Sequence, residues 1–286
     1  MKGDLYSQSQ NDPGKFSLWQ KFLKRSATAL LATVFCLSPI AGQSAEKKRT
    51  ETNIIVFDLR GGQTPRLNEE PLLVIKTDHT LILGAPYGKR KRIETRIEEK
   101  RLQALLNHIL DQQQFLQLDT KQIQQTIDNK LVQQQKKGKF SIRLGFSTQL
   151  ADASTSFFSV TTDGQEHHKS YYALRHSANK HPEIPSLQQL YAIQQRLMHE
   201  MNMAAIGGEK EKNKYLQLLN AKVFAKHPEA PSLNSNNLEL AFVRADGTLW
   251  MQWRNIWKSA DGRQRGMDGF ITVKENRQAQ IKLNFW

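Results

Sequence analysis

An eight-residue segment that occurs twice contains the side chains best suited to metal binding or acid–base chemistry. KHPEIPSL at 180–187 recurs as KHPEAPSL at 226–233, and seven of the eight positions are identical. An imidazole and a carboxylate two residues apart can ligate a divalent ion, so two copies that met in space would form a paired site. The candidate binding residues in the two copies are His181, Glu183, His227 and Glu229.

A structural interpretation accounts for the same residues. Lysine and histidine in a last turn complement the negative end of a helix dipole, proline stops the helix, and serine can cap the next one. This interpretation predicts helices over 171–179 and 214–225 that end at the two copies. It also predicts a helix that starts at Ser186, with Gln189 completing a capping box. Because it explains every residue type in the repeat, the sequence favours it over a paired site.

The other histidines match no metal-binding or catalytic pattern. The adjacent His167 and His168, together with His176, could in principle ligate zinc or copper. Neighbours on a strand point to opposite faces, however, so the pair is badly placed to share one ion. His199-Glu200 lacks the second histidine of a zincin helix. The chain also has no G-x-S-x-G elbow, phosphate-binding glycine loop or dinucleotide fingerprint. We therefore predict no metal and no cofactor. Because no catalytic motif is found, the sequence favours a non-catalytic protein over an enzyme.

An aromatic segment near the C-terminus supplies the last candidate. By strand alternation, one face of 249–257 presents apolar residues that we expect in the core, namely Leu249, Met251, Trp253 and Trp257. Trp250 and Arg254 share the other face. They would form either an exposed stacking and hydrogen-bonding platform, as glycan binders use, or ordinary packing. The sequence favours packing for Trp250, and both residues stay weak binding candidates.

Charge and cysteine content narrow the class of protein. Among 286 residues, 41 are Lys or Arg and 27 are Asp or Glu, which gives a net charge of +14. A single cysteine excludes an internal disulfide framework and a thiolate-rich zinc site. Such a basic chain suits anionic partners such as phospholipid headgroups, lipopolysaccharide or other acidic polymers.

Residues 1–45 have the pattern of a secretory signal peptide. A basic stretch ending in Lys24 and Arg25 precedes the uncharged run 26–42, and small residues follow before Glu46. Cleavage would remove five basic and two acidic residues, so the mature chain would keep +11 of the +14. The alternative is an uncleaved membrane anchor through 26–42, although this run is shorter than the roughly 20 apolar residues that crossing needs.

Hydrophobic periodicity predicts separate groups of strands and helices. The expected strands are 53–59, a hairpin within 71–84, a strand at 139–146, a hairpin around Asp163-Gly164, and two C-terminal hairpins around Asp246-Gly247 and Glu275-Asn276. The expected helices are 98–114 with a Thr95–Glu98 capping box, one capped by Asp119 or Thr120, and the helix from Ser186, with a stripe of Leu187, Leu190, Ile193, Leu197 and Met201.

These elements predict an α+β fold with antiparallel hairpins and segregated amphipathic helices, ending in a small C-terminal antiparallel sheet. We expect an N-terminal domain at 46–203, a linker at 204–213, and a helix-plus-sheet domain at 214–286.

The sequence predicts an exported, non-catalytic protein of the periplasm or cell envelope. It would bind an anionic surface or a protein partner, with peripheral membrane association and no nucleic acid. The alternative is an exported hydrolase of envelope polymer whose catalytic residues are dispersed along the chain.

Overall fold

The computed structural model describes residues 52–62, 65–136, 152–259, 262–274 and 278–286. The predicted signal peptide with its anchor alternative, the strand expected at 139–146 and the turn at Glu275-Asn276 lie outside these ranges. Residues Thr50–Trp286 form one compact unit.

The first sheet has six strands, and every neighbouring pair is antiparallel. Its order is β4-β3-β2-β1-β5-β6, so β1 lies at the centre and its Ile55 and Phe57 are buried. The predicted hairpins within 71–84 and around Asp163-Gly164 are confirmed as β2–β3 and β5–β6. The strands are β1 Asn53–Gly61, β2 Leu73–Lys76, β3 Thr80–Leu83, β4 Ile93–Arg96, β5 Ser154–Thr162 and β6 Gln165–Tyr172.

The described residues contain five α-helices. They are α1 Glu99–Asn107, α2 Thr120–Lys136, α3 Leu174–Lys180, α4 Pro185–Ile206 and α5 Glu209–Lys226. The helix expected at 98–114 is therefore shorter than predicted, because a π-helical turn at His108–Gln112 follows α1. The predicted cap of α2 is confirmed, since Asp119 Oδ1 accepts hydrogen bonds from the backbone of Lys121 and Gln122.

The two capping boxes predicted for α1 and α4 are wrong. Thr95 lies in β4, and Glu98 takes the N-cap position of α1 without a side-chain hydrogen bond. Ile184 is the N-cap of α4, and Pro185 occupies its first turn ahead of Ser186. Proline is well suited to that turn because its missing N–H would have no helical partner there.

The second sheet is a four-stranded antiparallel meander of order β10-β9-β8-β7. It confirms the small C-terminal sheet, and the fold as a whole is α+β as predicted. The predicted hairpin around Asp246-Gly247 is formed by β7 and β8. The strands are β7 Leu238–Val243, β8 Leu249–Lys258, β9 Gln264–Val273 and β10 Gln280–Phe285.

Helix α4 is the central packing element. It contacts β3, β4, β7, α3 and α5. The predicted apolar stripe is confirmed, because all five of its side chains are buried, namely Leu187, Leu190, Ile193, Leu197 and Met201. The segment expected as a linker at 204–213 is mostly helical: α4 continues to Ile206, Gly207 and Gly208 adopt positive φ, and α5 starts at Glu209.

Within the described residues, no helix is both long and apolar enough to span a bilayer.

Candidate functional site

The two copies of the repeat adopt the same helix-ending geometry. The backbone N–H of His181 donates to Ser177 O at 2.9 Å, and that of His227 donates to Val223 O at 2.8 Å. Each histidine carbonyl then accepts from the backbone N–H three residues later, at 3.2 Å and 3.0 Å. Helices α3 and α5 therefore end at the two copies, although they start elsewhere than predicted.

The imidazole–carboxylate pairs of the two copies lie in different surroundings. His181 is buried, and its Nδ1 lies 3.7 Å from Glu183 Oε1. Glu183 also accepts a hydrogen bond from Lys130 Nζ at 2.9 Å, which lowers the pKa of its carboxyl. His227 Nδ1 lies 3.2 Å from Glu229 Oε1, and its ring stacks 3.8 Å from that of Phe285.

Among the described residues, no hydrogen bond or ion pair joins the two copies. The same part of the chain contains no group of three or more His, Cys, Asp or Glu side chains that could hold a metal ion.

Trp250 and Arg254 make contacts within the second sheet. The Trp250 ring lies 5.0 Å from that of Phe242 and 5.7 Å from that of Phe270, so it belongs to an aromatic ladder across three strands. Arg254 Nε donates to Asp268 Oδ1 at 2.7 Å, a bond that raises the pKa of the guanidinium. On the opposite face of β8, Met251 and Trp253 are fully buried, as strand alternation predicted. Leu249 and Trp257, expected in the core with them, are only half-buried.

A group of cations lies where the two sheets meet. The loop between β3 and β4 pairs with the end of β7: Lys91 N donates to Val243 O at 2.8 Å, and Ala245 N donates to Lys89 O at 3.1 Å. Arg90 and Arg244 thereby form an antiparallel bridge. We call the resulting cluster the basic junction; it consists of Lys89, Arg90, Lys91, Arg92 and Arg244.

Three exposed cations of the basic junction have no acidic partner. Lys89, Lys91 and Arg244 form no ion pair within 4.0 Å among the described residues. The nearby Asp246 accepts a hydrogen bond from Thr248 N, which, with Lys274 and Arg244 close by, lowers the pKa of its carboxyl. Asp246 is thus hydrogen-bonded within its own turn, and the basic junction keeps an excess of positive charge.

Arg90 differs from its neighbours because its guanidinium faces aromatic rings. It lies 4.8 Å from the ring centroid of Phe242 and 5.3 Å from that of Tyr87. Burial lowers the pKa of Arg90, although a guanidinium stays charged at neutral pH. Among the described residues it forms no ion pair, whereas Arg92 pairs with Glu70 at 2.9 Å. Arg90 is therefore a partly desolvated cation that has no carboxylate within ion-pair distance among the described residues.

An apolar cleft of about 930 Å³ opens beside Arg90, between β1, α4 and β7. The acidic residues in its wall are the exposed Asp152 and the half-buried Glu239, which is paired with Arg175 at 2.9 Å. Leu67 stands at the cleft, 74% exposed, and its side chain covers Gly88. The apolar side chains of the wall include Phe57, Leu59, Leu72, Met198, Met201, Leu240 and Phe242.

A second, more polar cleft of about 1050 Å³ adjoins the first and shares five lining residues with it, namely Leu59, Ser154, Arg175, Met198 and Glu239. His199 is part of its wall, and burial lowers the pKa of this imidazole. No residue of either repeat copy lines these two clefts.

The sequence showed four of the five residues of the basic junction. Four consecutive cations at 89–92 are visible in the sequence. Arg244 lies more than 150 positions further along the chain, and it joins them only because the loop between β3 and β4 pairs with the end of β7. Comparisons with family models, curated proteins and solved structures found no match for this chain.

Proposed function

We propose that this is an exported, non-catalytic envelope protein that binds an anionic membrane surface through the basic junction. The observation that carries the proposal is the cluster of exposed, unpaired cations Lys89, Lys91 and Arg244 at one place on the surface. Cations that form no ion pair are attracted to anionic lipid, and each contributes about 1 kcal/mol near such a surface. The exposed Leu67 beside the cluster can insert between headgroups, as apolar residues of peripheral proteins do.

Vesicle sedimentation tests this function. The chain without residues 1–45 is mixed with vesicles containing phosphatidylglycerol and with vesicles of pure phosphatidylcholine. We expect binding to the anionic vesicles only, and release as salt rises above about 0.2 M because screening weakens the attraction.

A charge-matched pair of variants shows whether the binding is local. The test variant combines K89Q, K91Q and R244Q, and at about 1 kcal/mol for each cation it loses about a hundredfold in partition coefficient. The control combines K100Q, K121Q and K210Q, which removes the same charge from exposed positions on three helices. The proposal predicts little change in this control, and equal losses in both variants would mean that only the net charge matters.

The export component has its own test. Fractionation of the native host followed by mass spectrometry should find a mature N-terminus near Ala45 or Glu46 and release of the protein from membranes by high salt. A chain that keeps 26–42 and resists salt would be membrane-anchored.

The alternative function, hydrolysis of an envelope polymer, draws on His199. The lowered pKa of this imidazole keeps it neutral at pH 7, as a general base requires, and it lines the larger cleft. Release of soluble fragments from isolated envelope polymer by the wild type, and its loss in His199→Ala, would favour this hypothesis over a purely binding role.

A further inference from the structure

The apolar cleft beside the basic junction has the features of a site for one acyl chain. Its volume of about 930 Å³ lies within the range of about 300–1,000 Å³ that small-molecule sites occupy. Its walls include the buried side chains of Phe57 in β1, Leu72 just before β2 and Met201 in α4. The wall is therefore built on the core of the protein.

The positive charge of Arg90 indicates the kind of headgroup that the ligand carries. Arg90 lines the cleft, and Tyr87 and Phe242 hold its guanidinium over their rings at 5.3 Å and 4.8 Å. Neither Asp152 nor Glu239 in the same wall forms an ion pair with it. A desolvated cation with no counter-charge favours an anionic group, which can accept charge-assisted hydrogen bonds from the guanidinium.

The backbone next to the cleft argues against an extended peptide. A peptide would pair with the free edge of β7, but several groups of that edge already have partners. Asn202 Oδ1 accepts from Ala241 N at 2.8 Å, and Lys91 N donates to Val243 O at 2.8 Å. Glu239 O accepts from Asn202 Nδ2 at 3.4 Å. The site therefore suits a ligand that needs apolar contacts and one anion contact.

We propose that this cleft binds a single-chain amphiphile with an anionic headgroup, the chain among the apolar side chains and the headgroup on Arg90. This inference extends the proposed function from an anionic surface to one lipid molecule, and it rests on that proposal for the choice of lipid as the ligand class. The lipid is bound as a monomer, so the site can be tested without a membrane.

Calorimetric titration with monomeric carboxylates tests the site. Octanoate, decanoate and dodecanoate are used below their micelle concentrations, with dodecyltrimethylammonium as the charge control. We expect affinity to rise about fifteenfold for every two methylenes. Dodecanoate should bind at least tenfold more tightly than the cation of equal chain length. No binding of dodecanoate, or equal binding of anion and cation, overturns the inference.

Variants locate the binding. Arg90→Gln should lower the affinity for dodecanoate at least tenfold, and Arg90→Lys should retain part of it because the charge remains. Lys100→Gln removes the same charge from an exposed position on α1, outside the cleft wall and the basic junction, so it should leave the affinity within twofold. Met198→Glu places a carboxylate in the wall and should abolish binding. Circular dichroism and thermal melts report whether each variant is folded, and equal loss in Arg90→Gln and Lys100→Gln overturns the assignment of the headgroup to Arg90.

The outcomes separate this inference from the proposed function. If the wild type binds anionic vesicles but not dodecanoate, the surface function stands and the inference fails. If it binds dodecanoate but not vesicles, the cleft assignment stands and the surface function fails. A dimer in sedimentation that Met198→Glu dissociates would show a second copy in the cleft, and this result would also overturn the inference.

Discussion

The side-chain amide of Asn202 is bonded to the backbone of an edge strand through Ala241. Asn202 Oδ1 accepts from Ala241 N at 2.8 Å, and both residues are buried. The bond joins α4, which packs on the first sheet, to β7 of the second sheet. A buried backbone N–H must find a partner, and this edge of β7 has no neighbouring strand to supply one.

Replacing Asn202 should weaken the connection between α4 and β7. Asn202→Ala leaves the Ala241 N–H buried without an acceptor, so we expect a loss of about 1–3 kcal/mol in the free energy of unfolding. Urea denaturation gives the loss, and hydrogen exchange should show faster exchange at Ala241 than at the fully buried Met251 of β8. A variant with unchanged stability would mean that water replaces the amide.

Glu200 is the second buried polar group of α4 with a specific role. It has no exposed surface, and its carboxylate oxygens lie 2.5 Å from Arg101 Nε and 3.0 Å from Arg196 Nη2. These contacts join α1 to α4, although neither has hydrogen-bond geometry. Because both arginines are about one-third exposed, water can solvate them in Glu200→Gln. We expect a loss of about 1–3 kcal/mol rather than the larger cost of a fully buried pair.

Lys214 provides the comparison for Glu200. It pairs with Glu211 at 3.4 Å on the exposed side of α5. Lys214→Gln should change the free energy of unfolding by less than about 0.5 kcal/mol, because solvent screens such pairs. Equal effects of the two substitutions in chemical denaturation would contradict the role given to burial.

His199 should make stability depend on pH. Burial of the ring lowers its pKa from the ordinary 6.5, so the unfolded chain takes up this proton more readily than the folded one. The stability contribution is therefore complete above pH 6.5 and is lost as pH falls through the lowered, folded-state pKa.

Substitution of His199 isolates this contribution. Denaturation midpoints at about pH 7.5, 6.5 and 5.5 should fall more steeply for the wild type than for His199→Gln, which cannot titrate. Glu209, whose pKa Lys212 lowers from an ordinary 4.5, loses its contribution only at lower pH. Parallel profiles for the two proteins would rule out His199 as the source.

The repeat histidines should differ in their effects on stability. His181 is buried, so His181→Ala should cost about 2 kcal/mol, whereas His227→Ala loses a ring contact with Phe285 worth about 1 kcal/mol. Thermal melts compare the two. The double variant should bind anionic vesicles as the wild type does. Weaker vesicle binding in a folded double variant would favour the paired-site interpretation of the repeat.

Local patterns accounted for most of the element types. The stripe from Leu187 to Met201 predicted the buried face of α4, and Asp246-Gly247 predicted the turn of the β7–β8 hairpin. These features depend on side-chain period and turn chemistry, which a short segment already contains. The capping boxes failed because α4 has its N-cap at Ile184, with Pro185 in the first turn, and α1 has its N-cap at Glu98.

The candidate site was decided by tertiary structure. The sequence by itself determined that the chain is basic and that four cations stand together at 89–92. Only the folded chain brought Arg244 to them, placed Arg90 over two aromatic rings and opened an apolar cleft beside it. The physical reason is that residues far apart in the chain meet through packing, and strand pairing and core burial, rather than local pattern, determine which charges end up together.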